Sequence, residues 1–192
     1  MRVAPLSPEN VATWEALFEA CASSCFCRYW HFEGNKNEWL ARCAHDATRN
    51  RDEHVASVRA GEAAARGLVA LEDGSAVGWM KLCPKEEMGK LTRLGVYKGQ
   101  GADAGAGVFV IGCLLVRPDR RRRGVARALV KGAEDQVREW GGTAIEAYPR
   151  HFDGPLHDEE AWMGPEKVFV ECGFTKVAGE GPYPVLRKDL GQ

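Results

Sequence analysis

The chain has 192 residues, of which 45% are hydrophobic and 28% are charged. This composition excludes a fibrous or wholly disordered chain and predicts one globular domain over residues 1–192. The 26 Lys and Arg residues nearly balance the 27 Asp and Glu residues, so the total charge indicates no nucleic-acid or membrane partner. The charge is unevenly distributed, however, because five of the seven residues from Arg117 to Arg123 are arginine.

The first third of the chain is predicted to be mainly helical. Arg2 to Leu6 can form a short strand, and Ser7 is expected to cap a helix whose apolar residues recur at helical spacing from Val11 to Cys21. A loop from Ser23 to Gly34 follows. The next helical pattern predicts a second helix from about Asn37 to Ala60.

The pattern then changes to that of strands. Gly67 to Leu71 and Ser75 to Leu82 are short β-prone runs, and the Asp73-Gly74 pair between them predicts a hairpin. The glycine-rich stretch from Gly99 to Gly107 predicts a mobile loop. It lacks the Gly-Lys-Ser/Thr sequence of a phosphate loop.

The second half alternates between strands and helices. Val108 to Val116 is an almost continuous apolar run and predicts a central strand that is covered on both faces. The spacing from Val125 to Trp140 predicts the clearest amphipathic helix, and Thr143 to Tyr148 predicts another strand. A short helix is expected to end near Cys172. Two closing strands are expected around Phe174 to Val177 and Tyr183 to Asp189.

Cysteine usage and the apolar runs indicate the compartment. The odd number of cysteines favours reduced thiols over a disulfide framework. The seven are Cys21, Cys25, Cys27, Cys43, Cys83, Cys113 and Cys172. Three of them lie close together near His31, but no second Cys/His pair at zinc spacing follows, so we predict no metal site. The longest apolar run is shorter than the roughly 20 residues of a bilayer span, and the first residues lack the apolar core of a secretory signal. We therefore expect a cytoplasmic protein.

The segment with the most specific chemistry is the turn between the central strand and the long helix. The first backbone N–H groups of a helix lack helical partners, and the helix dipole adds partial positive charge there. Gly124 would let an anion approach this backbone closely, and Ala126 keeps the next turn small. Arginines beside the turn add charged planar donors. Together these features favour a polyphosphate ligand.

The stretch from Cys113 to Leu129 resembles the acetyl-CoA motif of the GNAT superfamily of N-acetyltransferases. The core of that motif, Gln/Arg-x-x-Gly-x-Gly/Ala, is Arg121-x-x-Gly124-x-Ala126 in this sequence. The segment from Phe169 to Phe174 is similar to the second motif of the superfamily, which ends in Gly-Phe. The resemblance covers roughly residues 64–190. It implies an α/β (α+β) fold with a central mixed, mostly antiparallel sheet flanked by helices and splayed between strands 4 and 5.

The resemblance also implies which residues hold acetyl-CoA. Backbone groups of Leu114, Leu115 and Val116 would contact the pantetheine arm. The pyrophosphate would be wrapped by the residues of the turn, which are Arg121, Arg122, Arg123, Gly124, Val125, Ala126 and Arg127. The alternatives are a solvated basic loop and an RNA-binding patch, since consecutive arginines also suit an RNA backbone. Neither alternative gives Gly124 and Ala126 a role.

Acetyl transfer to an amine needs groups that move protons. A primary amine has a pKa of roughly 10 and must lose a proton before it attacks, while an N–H donor must stabilise the oxyanion and an acid assists the departing thiolate. A backbone N–H between Leu114 and Val116 is the expected oxyanion donor. Many relatives use a tyrosine as the acid, but Phe169 stands at that position here. The replacement candidates are Tyr148, Glu146 and His151.

The loop between the first two helices supplies the candidates for binding the acceptor. Its aromatic and acidic side chains could select a small-molecule amine by cation–π and ionic contacts. The candidate residues are Cys27, Tyr29, Trp30, His31 and Glu33. The same loop could instead be a hydrophobic plug. Two other functions remain open, namely a CoA-binding module without catalysis and an acetyltransferase associated with protein or RNA. The oligomeric state is a separate open question, and a homodimer is one possibility.

Overall fold

A computed structural model describes residues 1–97, 106–152, 154 and 161–191 of the chain. The described strands form one seven-stranded sheet in the order β1-β2-β3-β4-β5-β7-β6. The strands are β1 (Arg2–Pro5), β2 (Gly67–Glu72), β3 (Ser75–Pro84), β4 (Val108–Val116), β5 (Ala144–Ala147), β6 (Thr175–Ala178) and β7 (Val185–Asp189). The predicted Gly99 to Gly107 loop falls mostly on residues 98–105, outside the described residues.

The sheet is mixed, and its one parallel pair creates the opening that matters for function. β4 pairs in parallel with β5 from Val108 opposite Ala144 to Ile111 opposite Ala147, whereas every other pair of neighbouring strands is antiparallel. Beyond Ile111, β4 continues to Val116 without β5 as a neighbour. The predicted mixed, mostly antiparallel sheet that splays between strands 4 and 5 is therefore confirmed.

Helices cover both faces of the sheet. They are α1 (Val11–Ala20), α2 (Lys36–His45), α3 (Ala47–Arg59), α4 (Gly89–Thr92), α5 (Val125–Glu139) and α6 (Glu166–Glu171). On one face, α5 buries the side chains of its predicted apolar stripe, with Leu129, Ala133 and Val137 all at 0% exposure. On the other face, α1 and α3 enclose a second core around Trp14 and Trp79.

The structure confirms the elements that local patterns specify most strongly. The hairpin turns at Asp73 and Gly74, which both have positive φ angles of 49° and 79°, as a tight two-residue turn requires. β4 has the predicted limits, and α5 begins at the predicted Val125. These elements depend on the periodicity and turn chemistry of residues that are adjacent in sequence.

Two helix predictions were wrong in detail. Asn10, not Ser7, occupies the N-cap position of α1. The Asn10 side chain makes no capping bond to the helix and instead accepts from Ser7 N and donates to Pro5 O, each at 2.9 Å. The single helix expected from Asn37 to Ala60 is two helices that meet at Asp46, whose φ of −146° is not helical. The break lets α2 pack its Trp39 with the loop before it while α3 packs against α1.

The remaining elements lie close to their predicted positions. β5 is shorter than the expected strand from Thr143 to Tyr148, and Cys172 caps the short helix α6. No helix in the described part of the chain combines the length and apolar character needed to cross a membrane. All seven cysteines are free thiols. Among the described residues, no group of three or more His, Cys, Asp or Glu side chains is arranged to hold a metal ion.

Candidate active site

The arginine-rich turn joins β4 to α5 and is partly neutralised by its own Asp119 and by Glu72 of β2. Arg117 and Arg120 both contact Asp119, at 2.7 and 2.9 Å, and Arg120 also pairs with Glu72 at 3.0 Å. The side chains of Arg122 and Arg123 are exposed. These contacts hold the first half of the turn, and three exposed arginines, Arg121 to Arg123, stand immediately before Gly124.

Gly124 lies at the N-cap position of α5 in a left-handed conformation, with a φ of +83°. A Cβ atom added to this glycine would have no heavy atom within 4 Å, so the space beside its backbone is open. The helix that starts here has no acidic residue in its first turn. An open backbone at the positive end of a helix, flanked by arginines, fits the diphosphate of a coenzyme. Cofactor binding here remains a prediction.

The edge of β4 that β5 does not pair with runs from this turn towards the opening in the sheet. Arg117 N donates to Val77 O on β3. The N–H and C=O groups of successive residues point to opposite sides of a strand, so those of Leu114 and Val116 point away from β3. Leu114 N donates to Trp162 O at 2.8 Å, and Val116 O accepts from Arg121 Nε at 3.3 Å. The two backbone positions predicted to bind pantetheine therefore face the opening.

The loop before α2 forms an aromatic rim beside the same edge. The rim is defined by Tyr29, Trp30, Phe32, Trp39 and Trp162, whose ring centroids lie 5.0–6.0 Å from their neighbours. Trp30 is buried and its Nε1 donates to Gly112 O at 2.8 Å, which fixes the rim against β4. Lys90 Nζ lies 4.3 Å from the centroid of Tyr29. An ammonium group is thus already held against these rings.

Four of the predicted acceptor residues lie at the rim or at the clefts beside it, whereas Cys27 lies in the core. Trp30, His31 and Glu33 line a cleft of about 610 Å³, while Tyr29 belongs to the rim. His31 and Glu33 also line a neighbouring cleft of about 600 Å³. Burial lowers the pKa of His31 to about 3, helped by the charges of Lys81 and Arg28. Cys27, by contrast, is buried in the core between α1 and the sheet.

Glu146 and Tyr148 meet as their spacing on one face of β5 predicts. Tyr148 Oη donates to Glu146 Oε2 at 2.6 Å, and Glu146 has 0% exposure. Two cations also bind this carboxylate, Lys85 at 2.7 Å and Arg187 at 3.3 Å. Burial, together with the bond to Glu146, raises the pKa of Tyr148 above its ordinary value. The phenol therefore stays protonated near neutral pH, and its proton is directed at the carboxylate.

His151 lies apart from that pair, on the chain that leaves β5. Its Nδ1 contacts Glu166 Oε2 at 2.5 Å, and its backbone N–H donates to Pro182 O at 2.8 Å. A carboxylate on one ring nitrogen fixes the orientation of a histidine. Phe169, at the position of the usual tyrosine, is fully buried, and its ring packs at 5.6 Å from that of Phe174.

Several residues at the site escaped sequence reasoning. Lys85 and Arg187 lie 61 and 41 positions from Glu146, in segments with no motif, and only the tertiary structure brings them to it. Trp162 and Lys90 were missed for the same reason. The one available signal was the aromatic character of Trp162, which stands shortly before α6 in an otherwise polar stretch.

The fold and the β4–α5 turn together define a nucleotide-cofactor-binding α/β protein. The sequence matches the family described as Acetyltransferase (GNAT) family over residues 13–154. The protein belongs to this family, and as a member it takes acetyl-CoA as its cofactor. A search of curated protein sequences finds no significant match.

Solved structures with the same fold cover almost the whole chain. PaiA N-acetyltransferase from Thermoplasma acidophilum, in complex with coenzyme A, is 12% identical with a TM-score of 0.54, covering 98% of this chain and 99% of its own. Aminoglycoside 6'-acetyltransferase type Ii is 16% identical with a TM-score of 0.55, covering 100% and 99%. YncA from Salmonella typhimurium, solved with acetyl-CoA, is 13% identical with a TM-score of 0.53, covering 100% and 94%. At these identities the likeness concerns the fold.

Proposed function

We propose that the protein transfers the acetyl group of acetyl-CoA to a primary amine of a small molecule, by direct attack in a ternary complex. The observation that carries the proposal is the open, left-handed Gly124 at the start of α5, which follows a β4 edge that β5 does not pair with. A plain basic patch for RNA would need neither the glycine conformation nor the opening in the sheet.

The binding residues follow from this arrangement. Exposed Arg122 and Arg123, together with the first N–H groups of α5, would hold the pyrophosphate. Arg121, Val125, Ala126 and Arg127 complete the turn, and Leu114, Leu115 and Val116 lie along the proposed path of the pantetheine arm. The bound cofactor supplies an acetyl group activated as a thioester. Leu114 N–H is the proposed donor for the oxyanion that develops on attack.

The aromatic rim and its cleft favour a cationic acceptor. The Lys90 ammonium group contacts Tyr29 and Phe32 by cation–π interaction, and we propose that the other rings of the rim attract a substrate ammonium in the same way. Glu33 lines the cleft and adds negative charge. Trp30 joins this cleft to the β4 edge through its bond to Gly112 O. We propose that the amine enters here, between Tyr29, Trp30, His31 and Glu33.

Among the three candidates for proton transfer, the contacts favour His151 as the base. Glu166 orients its ring, in the manner of a carboxylate that fixes a general base. Glu146 is fully buried, and its carboxylate is already bound by Lys85, Arg187 and Tyr148. We propose that Glu146 and Tyr148 instead stiffen the wall of the site. In that case the leaving thiolate takes its proton from water, which agrees with Phe169 at the usual acid position.

The second candidate function is a CoA-binding module without catalysis, and Phe169 is the observation that favours it. To test both, purified protein should be incubated with acetyl-CoA and a panel of polyamines, amino acids and aminoglycosides, with free thiol as the readout. Turnover with any amine supports the transferase. Strong thermal stabilisation by CoA without turnover supports the module. Absence of stabilisation by millimolar CoA would contradict both functions.

Location and assembly are further parts of the proposal. We propose a cytoplasmic protein, because seven unpaired cysteines suit a reducing compartment. A homodimer is compatible with the site, since the proposed cofactor and acceptor residues all belong to one chain. Size-exclusion chromatography with light scattering would measure the assembly directly.

A further inference from the structure

The opening between β4 and β5 contains a short segment of the chain itself, residues Trp162–Pro165. On one side of the opening, Leu114 N donates to Trp162 O at 2.8 Å. On the other side, Pro165 forms a parallel bridge with Arg150, which follows β5. The segment thus contacts both sides of the opening, in the manner of an inserted strand.

Side-chain contacts hold this segment in place. The Trp162 ring stacks on Trp30 with centroids 5.4 Å apart and lies 6.0 Å from Tyr29, edge to face. Gly164 N donates to Ala161 O at 2.7 Å, which closes a tight turn. A Cβ on Gly164 would come within 2.6 Å of Leu114 Cδ1, so the turn packs closely against β4. Trp162 nevertheless remains 41% exposed.

These contacts conflict with the proposed path of the cofactor. The backbone N–H of Leu114 is the proposed donor to the acyl group, and here it is bonded to Trp162 O. A single backbone N–H group in a sheet edge serves one strong acceptor at a time. The acyl carbonyl can therefore use Leu114 only after Trp162 O has moved away.

We propose that Trp162–Pro165 is an internal competitor for the cofactor, which occupies the β4 edge in the cofactor-free protein and is displaced when acetyl-CoA binds. The inference rests on the cofactor path of the proposed function. Only the fraction of molecules with the segment displaced binds the acyl end, so the contact lowers the apparent affinity for acetyl-CoA. The stack of Trp162 on Trp30 adds to this effect, because it is one of the contacts that displacement breaks.

The first test measures the affinity for acetyl-CoA by titration calorimetry in the variant Trp162→Ala. Loss of one aromatic stack weakens the competitor, and we expect binding about threefold to tenfold tighter than in the wild type. Trp140→Ala is the matched control, because Trp140 also loses a stacked ring, Phe109 at 5.7 Å, but lies at the end of α5. Equal or weaker binding by Trp162→Ala would overturn the proposal.

The second test follows the segment itself by NMR. The indole signal of Trp162, assigned by its loss in Trp162→Phe, should shift when acetyl-CoA saturates the wild type. Without cofactor, the Leu114 amide should exchange at least about tenfold faster in Trp162→Ala than in the wild type, because its acceptor is less firmly held. Normal cofactor binding with an unchanged Trp162 signal would overturn the displacement alone. Absence of CoA binding to the wild type would overturn the proposed function and the displacement together.

Discussion

The hydroxyl of Tyr148, the residue that follows β5, donates to Oε2 of Glu146 within β5 at 2.6 Å. The carboxylate that accepts this bond is completely buried and also binds Lys85 and Arg187. A buried charge is tolerated when it is paired and its lone pairs are satisfied, and this network meets both conditions. The network joins β5, β7 and the turn after β3 at the wall of the proposed site.

Glu146→Gln should therefore destabilise the fold strongly. The change leaves Lys85 as a buried cation without its carboxylate, and breaking a buried pair in this way costs about 3–5 kcal/mol. Urea denaturation followed by circular dichroism gives the free energy of unfolding. Glu139→Gln is the matched control, because Glu139 is exposed on α5 and should change the free energy by less than about 0.5 kcal/mol. A cost below about 1 kcal/mol for Glu146→Gln would show that the network contributes little.

Gly124→Val should abolish CoA binding by a local effect. Valine places its side chain in the open space beside the backbone where the diphosphate would approach, so we expect affinity for CoA at least about tenfold weaker. The left-handed φ also strains any residue with a Cβ, at about 1–3 kcal/mol.

Gly61→Val controls for this strain. Gly61 has a similar φ of +71°, also with no heavy atom within 4 Å of an added Cβ, but lies after α3. Calorimetric titration with CoA should separate the two variants, since both lose stability and only Gly124→Val loses affinity. Unchanged affinity in Gly124→Val would mean that the diphosphate binds elsewhere.

His151→Gln should reduce turnover without changing cofactor affinity. Removal of a general base typically lowers kcat by about 100-fold or more, whereas CoA does not depend on this side chain in the proposed complex. Steady-state kinetics with the best amine from the panel gives kcat, and calorimetry gives the affinity for CoA. His45→Gln is the control, because His45 is exposed at the end of α2. If kcat falls less than about threefold, another group accepts the proton.

Stability should fall below about pH 6.5, and His54 should be a main cause. His54 is fully buried between Trp14 and Trp79, and this burial lowers its pKa well below the ordinary value. His54 therefore binds a proton near pH 6.5 in the unfolded chain but stays neutral at this pH in the folded chain. Stability contributed by the neutral ring is present above that pH and is lost progressively as the pH falls.

The variant His54→Phe removes this titration and keeps an aromatic ring. One such histidine contributes about 1.4 kcal/mol to the loss of unfolding free energy between pH 7.5 and 5.5. Urea denaturation at these two pH values should show a loss that is smaller by about this amount in His54→Phe than in the wild type. An identical pH dependence in both proteins would contradict the neutral, buried state of His54.

The sequence by itself determined the elements whose signals are local. The apolar run of β4, the four-residue spacing of α5, and the Asp73-Gly74 turn each depend on neighbouring residues, and each occurs where the pattern predicts. The Arg121-x-x-Gly124-x-Ala126 motif belongs to the same class, because a strand, a turn and a helix N-terminus are contiguous in the chain. The resemblance that implied acetyl-CoA could therefore be recognised before the fold was known.

Only the tertiary structure decided which distant groups meet. Lys85 and Arg187 reach Glu146 because β7 is inserted beside β5 and the chain turns back after β3, and neither fact has a local signal. The bond from Leu114 to Trp162 depends in the same way on where β4 and β5 separate. Long-range pairing is fixed by the packing of the whole sheet, whereas periodicity and turn chemistry are fixed by neighbouring residues. This is why the sequence predicted the strand and the helix on either side of the proposed cofactor turn but not the distant residues that surround it.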